Sequence, residues 1–193
     1  VEMGLLYNIP IFVGSAFNSN AQGTLIRKQV AMEPSNRVRG IALDTDVAAI
    51  TLRAVPDRPG IAGILFTSLA DSGISVDTIV QNASAENLTD LTFSVTREQS
   101  TKARKIVTPL AVDMGAGSVI IDDNLAKVSI VGTGMQSGIG YAANMFRTLA
   151  TADINIKLIT TSEIRITALV HEERGQEAVR LLHATFQLDE SSP

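Results

Sequence analysis

Ala48, Ile50 and Leu52 fall on every second position and predict a half-buried strand. The period then changes: Ile61, Leu65 and Leu69 recur at i, i+4 and i+8, with Phe66 widening the stripe, which is the pattern of a helix with one apolar face. Residues Val76 to Gln81 read as a second strand, and Leu91, Phe93 and Val95 alternate against Thr92, Ser94 and Thr96 as a third. The polar run Ala83 to Asn87 is the hairpin loop between them. Ala103, Ile106, Val107 and Leu110 return to helical spacing, and a short strand around Val119 to Ile121 closes the unit. The predicted order is βαββαβ.

The same unit recurs. Pro59 to Val76 aligns with Ile139 to Ile156 at an offset of 80, sharing the glycine, the phenylalanine and the Leu-Ala pair. Upstream, Ala49 to Arg53 aligns with Lys127 to Val131 at an offset of 78, so the intervening loop is two residues longer in the second copy. Repeats of this size set the domain count before any other consideration. The second copy predicts a strand at Val128 to Gly132, a helix bearing Tyr141, Met145 and Leu149, strands at Ile156 to Thr161 and Ile164 to Val170, and a helix carrying Ala178, Leu181, Leu182 and Phe186. It has no closing strand of its own, so that edge is filled either by the Arg39 to Leu43 segment or by a second subunit. The expected fold class is α+β: two tandem ferredoxin-like βαββαβ domains, antiparallel sheets with helices on one face. Expected boundaries are a leader at 1–45, a first domain at 46–123 and a second at 124–193. In the leader, Asn8 to Val13 predicts a strand, Asn18 to Gly23 a turn, Gly23 to Ile26 a short extended end, and Arg27 to Asn36 a linker.

Composition narrows the function. Of 193 residues, 45% are hydrophobic and 19% charged, enough to bury a core and too apolar for disorder. The absence of cysteine excludes disulfides, thiolate zinc sites and cysteine nucleophiles, and two histidines make no metal centre. A net charge of -4 and 4% aromatic residues argue against nucleic acid; of the central strands only Phe93 offers a ring, where base stacking needs an exposed pair. No run of apolar residues is long enough to span a bilayer and Val1 to Gly4 lacks the basic flank of a signal peptide, so no membrane partner and a cytoplasmic location are expected. A start on Val1 points to a fragment or an engineered boundary.

Candidate chemistry is confined to loops and strand ends. Val55 to Ala62 joins a strand to a helix start, where Gly60 permits close approach and the first helical N–H groups face outward with partial positive charge. An α-carboxylate suits that place, and Asp57 can answer an ammonium on the same ligand. Capping of the helix by Asp57 is the plainer alternative. Asp77 and Gln81 are expected on one face of their strand with Ile79 between them, lining a small pocket or forming a solvent-facing edge. Thr160 to Glu163 reads as a turn. The Gly132 to Gly138 loop lacks the Gly-Lys-Ser/Thr of a phosphate loop, and His171 and His183 have no acidic or serine partner at a telling spacing, so no catalytic set assembles.

These strings resemble a known family. Tyr7 to Ile11, Ser15 to Phe17 and Gly23 to Ile26 are similar to the tail of the amino-acid-kinase catalytic domain of aspartate kinases. Asp57-Arg58-Pro59-Gly60 with Val80-Gln81-Asn82 resembles the first regulatory ACT domain, and Lys127 to Met135 with Asn155 to Arg165 resembles the second. The resemblance implies a regulatory β-type subunit or C-terminal regulatory region, binding lysine, threonine or both at an ACT–ACT homodimer interface. Effector-binding residues implied on matching positions are Asp57, Gly60, Ile61, Ala62, Asp77 and Gln81 on one side, and Ala142, Ala143, Asn155 and Ile156 on the other. It further implies feedback control of ATP-dependent aspartate phosphorylation by a catalytic domain or α subunit. This chain would be non-catalytic, holding neither metal nor cofactor, while ATP and Mg bind the catalytic part. Ile139-Gly140 replaces the family's Pro-Gly, and Ala142 a frequent threonine, which counts against a second effector site there. An ACT-type dimerisation module without ligand response is the competing reading.

Overall fold

The computed structural model describes residues 7, 9–14, 23–26, 38–82, 86–132 and 139–188. Two compact units divide the chain, 1–35 and 36–193. In the first unit, β1 (Ile11–Val13) pairs antiparallel with β2 (Thr24–Ile26), matching the two extended stretches predicted there. The predicted linker and most of the predicted turn lie outside the described residues.

Among the described residues the second unit is one six-stranded antiparallel sheet with four α-helices. Its elements are β3 (Val38–Pro56), α1 (Ile61–Asp71), β4 (Ile79–Asn82), β5 (Leu88–Val95), α2 (Arg97–Met114), β6 (Ser118–Gly132), α3 (Tyr141–Thr151), β7 (Ile156–Thr161), β8 (Arg165–His171), a 3-10 turn (Glu172–Arg174) and α4 (Gly175–Thr185). Strand order is β4-β5-β3-β6-β8-β7.

Two long strands distinguish this sheet from a pair of separate ones. The second half of β3 pairs with β5, while its first half pairs with β6, from Gly40 opposite Val131 to Asp44 opposite Lys127. Residues 38–44 therefore supply the strand that the second copy lacks. In return, Ser118 to Asp122 at the start of β6 closes the first copy against β3. The two short strands predicted at 119–121 and 128–132 are a single strand.

Continuity requires a correction of parity. Ile41 and Leu43 pack with the second core, yet Ala48, Ile50 and Leu52 pack with the first. An extra residue on β3 between Asp44 and Val47, and one on β6 between Leu125 and Asp122, restores the alternation. All four helices thereby cover the same face. Each bulge holds the same side-chain turn: Asp46 N–H donates to Asp44 Oδ1 at 2.9 Å and Asn124 N–H to Asp122 Oδ1 at 3.2 Å.

Each half has its own core. Ile61, Leu65 and Leu69 of α1 and Ala103, Val107 and Ala111 of α2 lie on Ile50, Leu52, Leu91 and Phe93. Phe66 meets Phe93 edge-on at 5.5 Å. Met145 and Leu149 of α3 and Ala178 and Leu182 of α4 cover Val128, Ile130, Ile166 and Ala168. On the opposite face a smaller cluster joins Val47, Leu125 and Leu169, with Ala49 and Leu158 beside it. Hydroxyl pairs occupy equivalent places there: Thr51 with Thr92 at 2.9 Å and Ser129 with Thr167 at 2.7 Å.

Candidate functional site

The helix starts singled out by sequence are built alike. Gly60 precedes α1 at φ 97° and Gly140 precedes α3 at φ 97°, a left-handed conformation that favours glycine. Both helices are 11 residues long. Among the described residues no side chain caps either one, which leaves the first-turn N–H groups of α1 to an external acceptor. The capping role open to Asp57 is not taken: its backbone N–H donates to Asn87 O at 2.8 Å, and its exposed carboxylate has no bond among the described residues.

The candidate residues divide into groups by position. Since β4 runs antiparallel to α1, its end at Gln81 and Asn82 lies beside the helix start. Asp57, Gly60, Ile61, Ala62 and Gln81 thus gather at one end of the first module. Asp77 is about 13 Å back along the strand and is engaged elsewhere. Lys127 Nζ donates to Asp77 Oδ2 and lies 3.9 Å from Asp44 Oδ2. The hydrogen bond from Lys127 holds the Asp77 carboxyl below its ordinary range, burial opposing it.

Asp77 and Gln81 do not share a face. Gln81 stands opposite Leu91 and Ile79 opposite Phe93, on the helix side, whereas Lys127 stands opposite Leu169 on the other side. The regular strand begins at Ile79, and residues 77 and 78 both bond to Ser94: Asp77 N–H to its carbonyl, Thr78 N–H to its hydroxyl. Alternation cannot be extended through that irregularity.

In the second module Ala142 and Ala143 sit at the start of α3, while Asn155 and Ile156 sit beyond its end, roughly 16 Å away along the helix. Asn155 and Ile156 border a depression of about 430 Å³ with Phe146, Ala150, Asp153 and Ile154. Thr161 ends β7, and Ser162 N–H donates to Arg165 O at 2.7 Å, the turn expected there. His171 ends β8 and His183 lies in α4. No described helix is long and apolar enough to cross a membrane, and among the described residues no acidic or histidine cluster could hold a metal ion.

What the sequence did not reveal is a cleft of about 320 Å³ on the helix-free face, where Lys127 and Asp77 meet Asp44, Asp46, Ser94 and Arg165. These residues are distant in sequence, and only the pairing of β3 with β6 brings them together.

The comparisons agree with this architecture. The ACT domain family matches residues 53–108 and 128–186. The chain is 42% identical over 191 residues to an aspartate kinase of Pseudomonas fluorescens, covering 98% of this chain and 46% of that one. It is 37% identical to the crystallised regulatory subunit of aspartate kinase from Thermus thermophilus in its ligand-free form, covering 78% of this chain and 99% of that one with a TM-score of 0.73. The chain belongs to the ACT-domain family, as a regulatory part of aspartate kinase. This ACT pair also resembles Escherichia coli aspartokinase III solved with lysine and aspartate, at 25% identity and a TM-score of 0.70, over 95% of this chain and 40% of that one. It spans about half the length of the curated aspartate kinases it matches, 46% in the Pseudomonas fluorescens case.

Proposed function

We propose that this ACT pair is the feedback sensor of an aspartate kinase: it binds lysine, threonine or both between two copies of the chain and thereby controls ATP-dependent phosphorylation of aspartate by the catalytic part. The observation that carries the reading is the pair of open sheet edges. Among the described residues β4 pairs only with β5 and β7 only with β8, and each presents an isoleucine at the same place in the repeat, Ile79 at 53% and Ile159 at 45% exposure. An open, apolar edge favours strand addition.

Laying β4 of one copy antiparallel to β7 of another brings Gln81, Asp57 and the Gly60 helix start to the Asn155-Ile156 corner. There the helix N–H groups would receive the α-carboxylate and the carboxylate of Asp57 the ammonium. In this arrangement Ala142 and Ala143 lie outside the first site, and Asp77 acts within its own chain. Lysine is supported by the Escherichia coli relative solved with it. Binding of effector by both copies would favour the assembly in which the attached kinase parts are inactive.

Sedimentation and calorimetry test this together. A dimer that binds threonine or lysine at millimolar concentration, and loses that binding in Gln81→Ala, is expected. A dimer that binds neither is a dimerisation module without ligand response. A chain that stays monomeric overturns the interface as well.

A further inference from the structure

We infer that the cleft on the helix-free face is a second small-molecule site, formed within one chain, for a ligand carrying a carboxylate and more than one ammonium group. Two equivalent places in the repeat are built differently. Lys127 stands opposite Leu169 in one half, and Ala49 opposite Ser94 in the other. By the offset of 78, Ala49 is the counterpart of Lys127; by the register of the paired strands, Ser94 is the counterpart of Leu169 and Thr78 of Leu158. One of the two places is filled: Ala49, Leu158 and Leu169 close it with apolar contacts around Val47 and Leu125, leaving Leu169 fully buried. At the other, the hydroxyl residues Ser94 and Thr78 replace the two leucines and Lys127 replaces the alanine, and about 320 Å³ stays open. An unfilled space of this size forfeits packing that the other half has retained.

Its walls carry unused hydrogen-bonding capacity of both signs. Arg165 lines the cleft, and its guanidinium has no bond among the described residues. Asp46 Oδ1 accepts from Arg97 N–H at 2.9 Å, leaving Oδ2 free among them, and Asp77 uses only Oδ2. A ligand carboxylate suits Arg165, whose planar fork takes two oxygens. Ammonium groups suit Asp46 and Asp77. Asp44, Asp46 and Asp77 outnumber Lys127 and Arg165 by one charge, so a net positive ligand is favoured over a neutral one, and a neutral one over an acidic one. This site is separate from the proposed interface site and does not depend on it.

Calorimetric titration of the whole chain with ornithine, serine and glutamate tests the charge order. Ornithine is expected to bind most tightly and glutamate not to saturate. Ser94→Leu, which introduces the side chain found at the equivalent place, should abolish ornithine binding while the melting temperature holds or rises. Arg165→Gln should weaken it about tenfold with the fold unchanged. Gln81→Ala should leave it intact even where the interface site is lost. Failure of ornithine to saturate, glutamate binding as well as ornithine, or ornithine binding undiminished in Arg165→Gln would each overturn the assignment. Should Ser94→Leu fail to fold, Arg165→Gln decides.

Discussion

Arg97 and Glu172 stand at equivalent positions of the two ACT modules, 75 apart in sequence, and are bonded to each other. Arg97 Nη1 donates to Glu172 Oε1 at 3.0 Å and Nη2 lies 3.0 Å from Oε2, a two-pronged pair that also reaches Leu125 O at 3.2 Å. A pair so placed crosses the local twofold axis between the modules. Alanine at both positions should show a coupling in a double-mutant cycle that shrinks in high salt, because both side chains are 36% exposed. Arg97→Lys should fail to restore it, since an ammonium has no fork. A coupling insensitive to salt would show that packing, not charge, links these positions.

Val47 and Leu125 also face each other across β3 and β6, and they too are counterparts, at the offset of 78. Both are about 1% exposed. Leu125→Ala should cost about 2–5 kcal/mol, the range for a large-to-small change in a packed core. Because the residue belongs to the strands shared by both modules, urea unfolding should remain a single transition at a lower midpoint. Two resolved transitions would show that the modules unfold separately.

Acid should weaken the tie between Asp77 and Lys127. The folded carboxyl titrates below the ordinary value because Lys127 donates to its charged form. A depressed folded pKa contributes stability that is present above the unfolded value, about 3.9, and is lost as pH falls through the folded value. The urea midpoint of the native chain should therefore fall below about pH 4 more steeply than that of Asp77→Asn. Half the Asp77 side chain is exposed, 54%, so the difference should be small and reduced by salt.

Gly60→Ala and Gly140→Ala should each destabilise by about 1–3 kcal/mol through backbone strain alone. Among the described residues nothing lies within 4 Å of a Cβ built at either position, so none of them adds a clash. Thermal melting of the two variants should give similar losses, since both glycines hold φ 97°. A loss at only one would show that the two helix starts are constrained differently.

Most elements were legible because their periods are clean. Ile61, Leu65 and Leu69, and Leu91, Phe93 and Val95, are buried as their spacing predicts. The family was legible through strings such as Asn155 to Arg165. Two things were hidden for one reason. A strand that gains a residue looks like two strands of opposite parity, so β3 and β6 read as shorter pieces; likewise, alternation carried back from Gln81 misplaces Asp77. Bulges depend on partner strands, and a partner is not visible in local sequence. The cleft at Lys127 was out of reach on the same grounds. Asp153, at φ 55° where the first module has Gly73 at φ 70°, shows that the same left-handed turn can be made without glycine.

The exchange of strands between the halves has a mechanical consequence. Both the entering segment at residues 38–44 and the last helix belong to the second module, while the first is spliced between them. Tension applied through the two chain ends would load the second module directly and bypass the first. Movement in the first module reaches the second through β3 and β6, which bulge at residues 44–49 and 122–125, and through the Arg97–Glu172 pair.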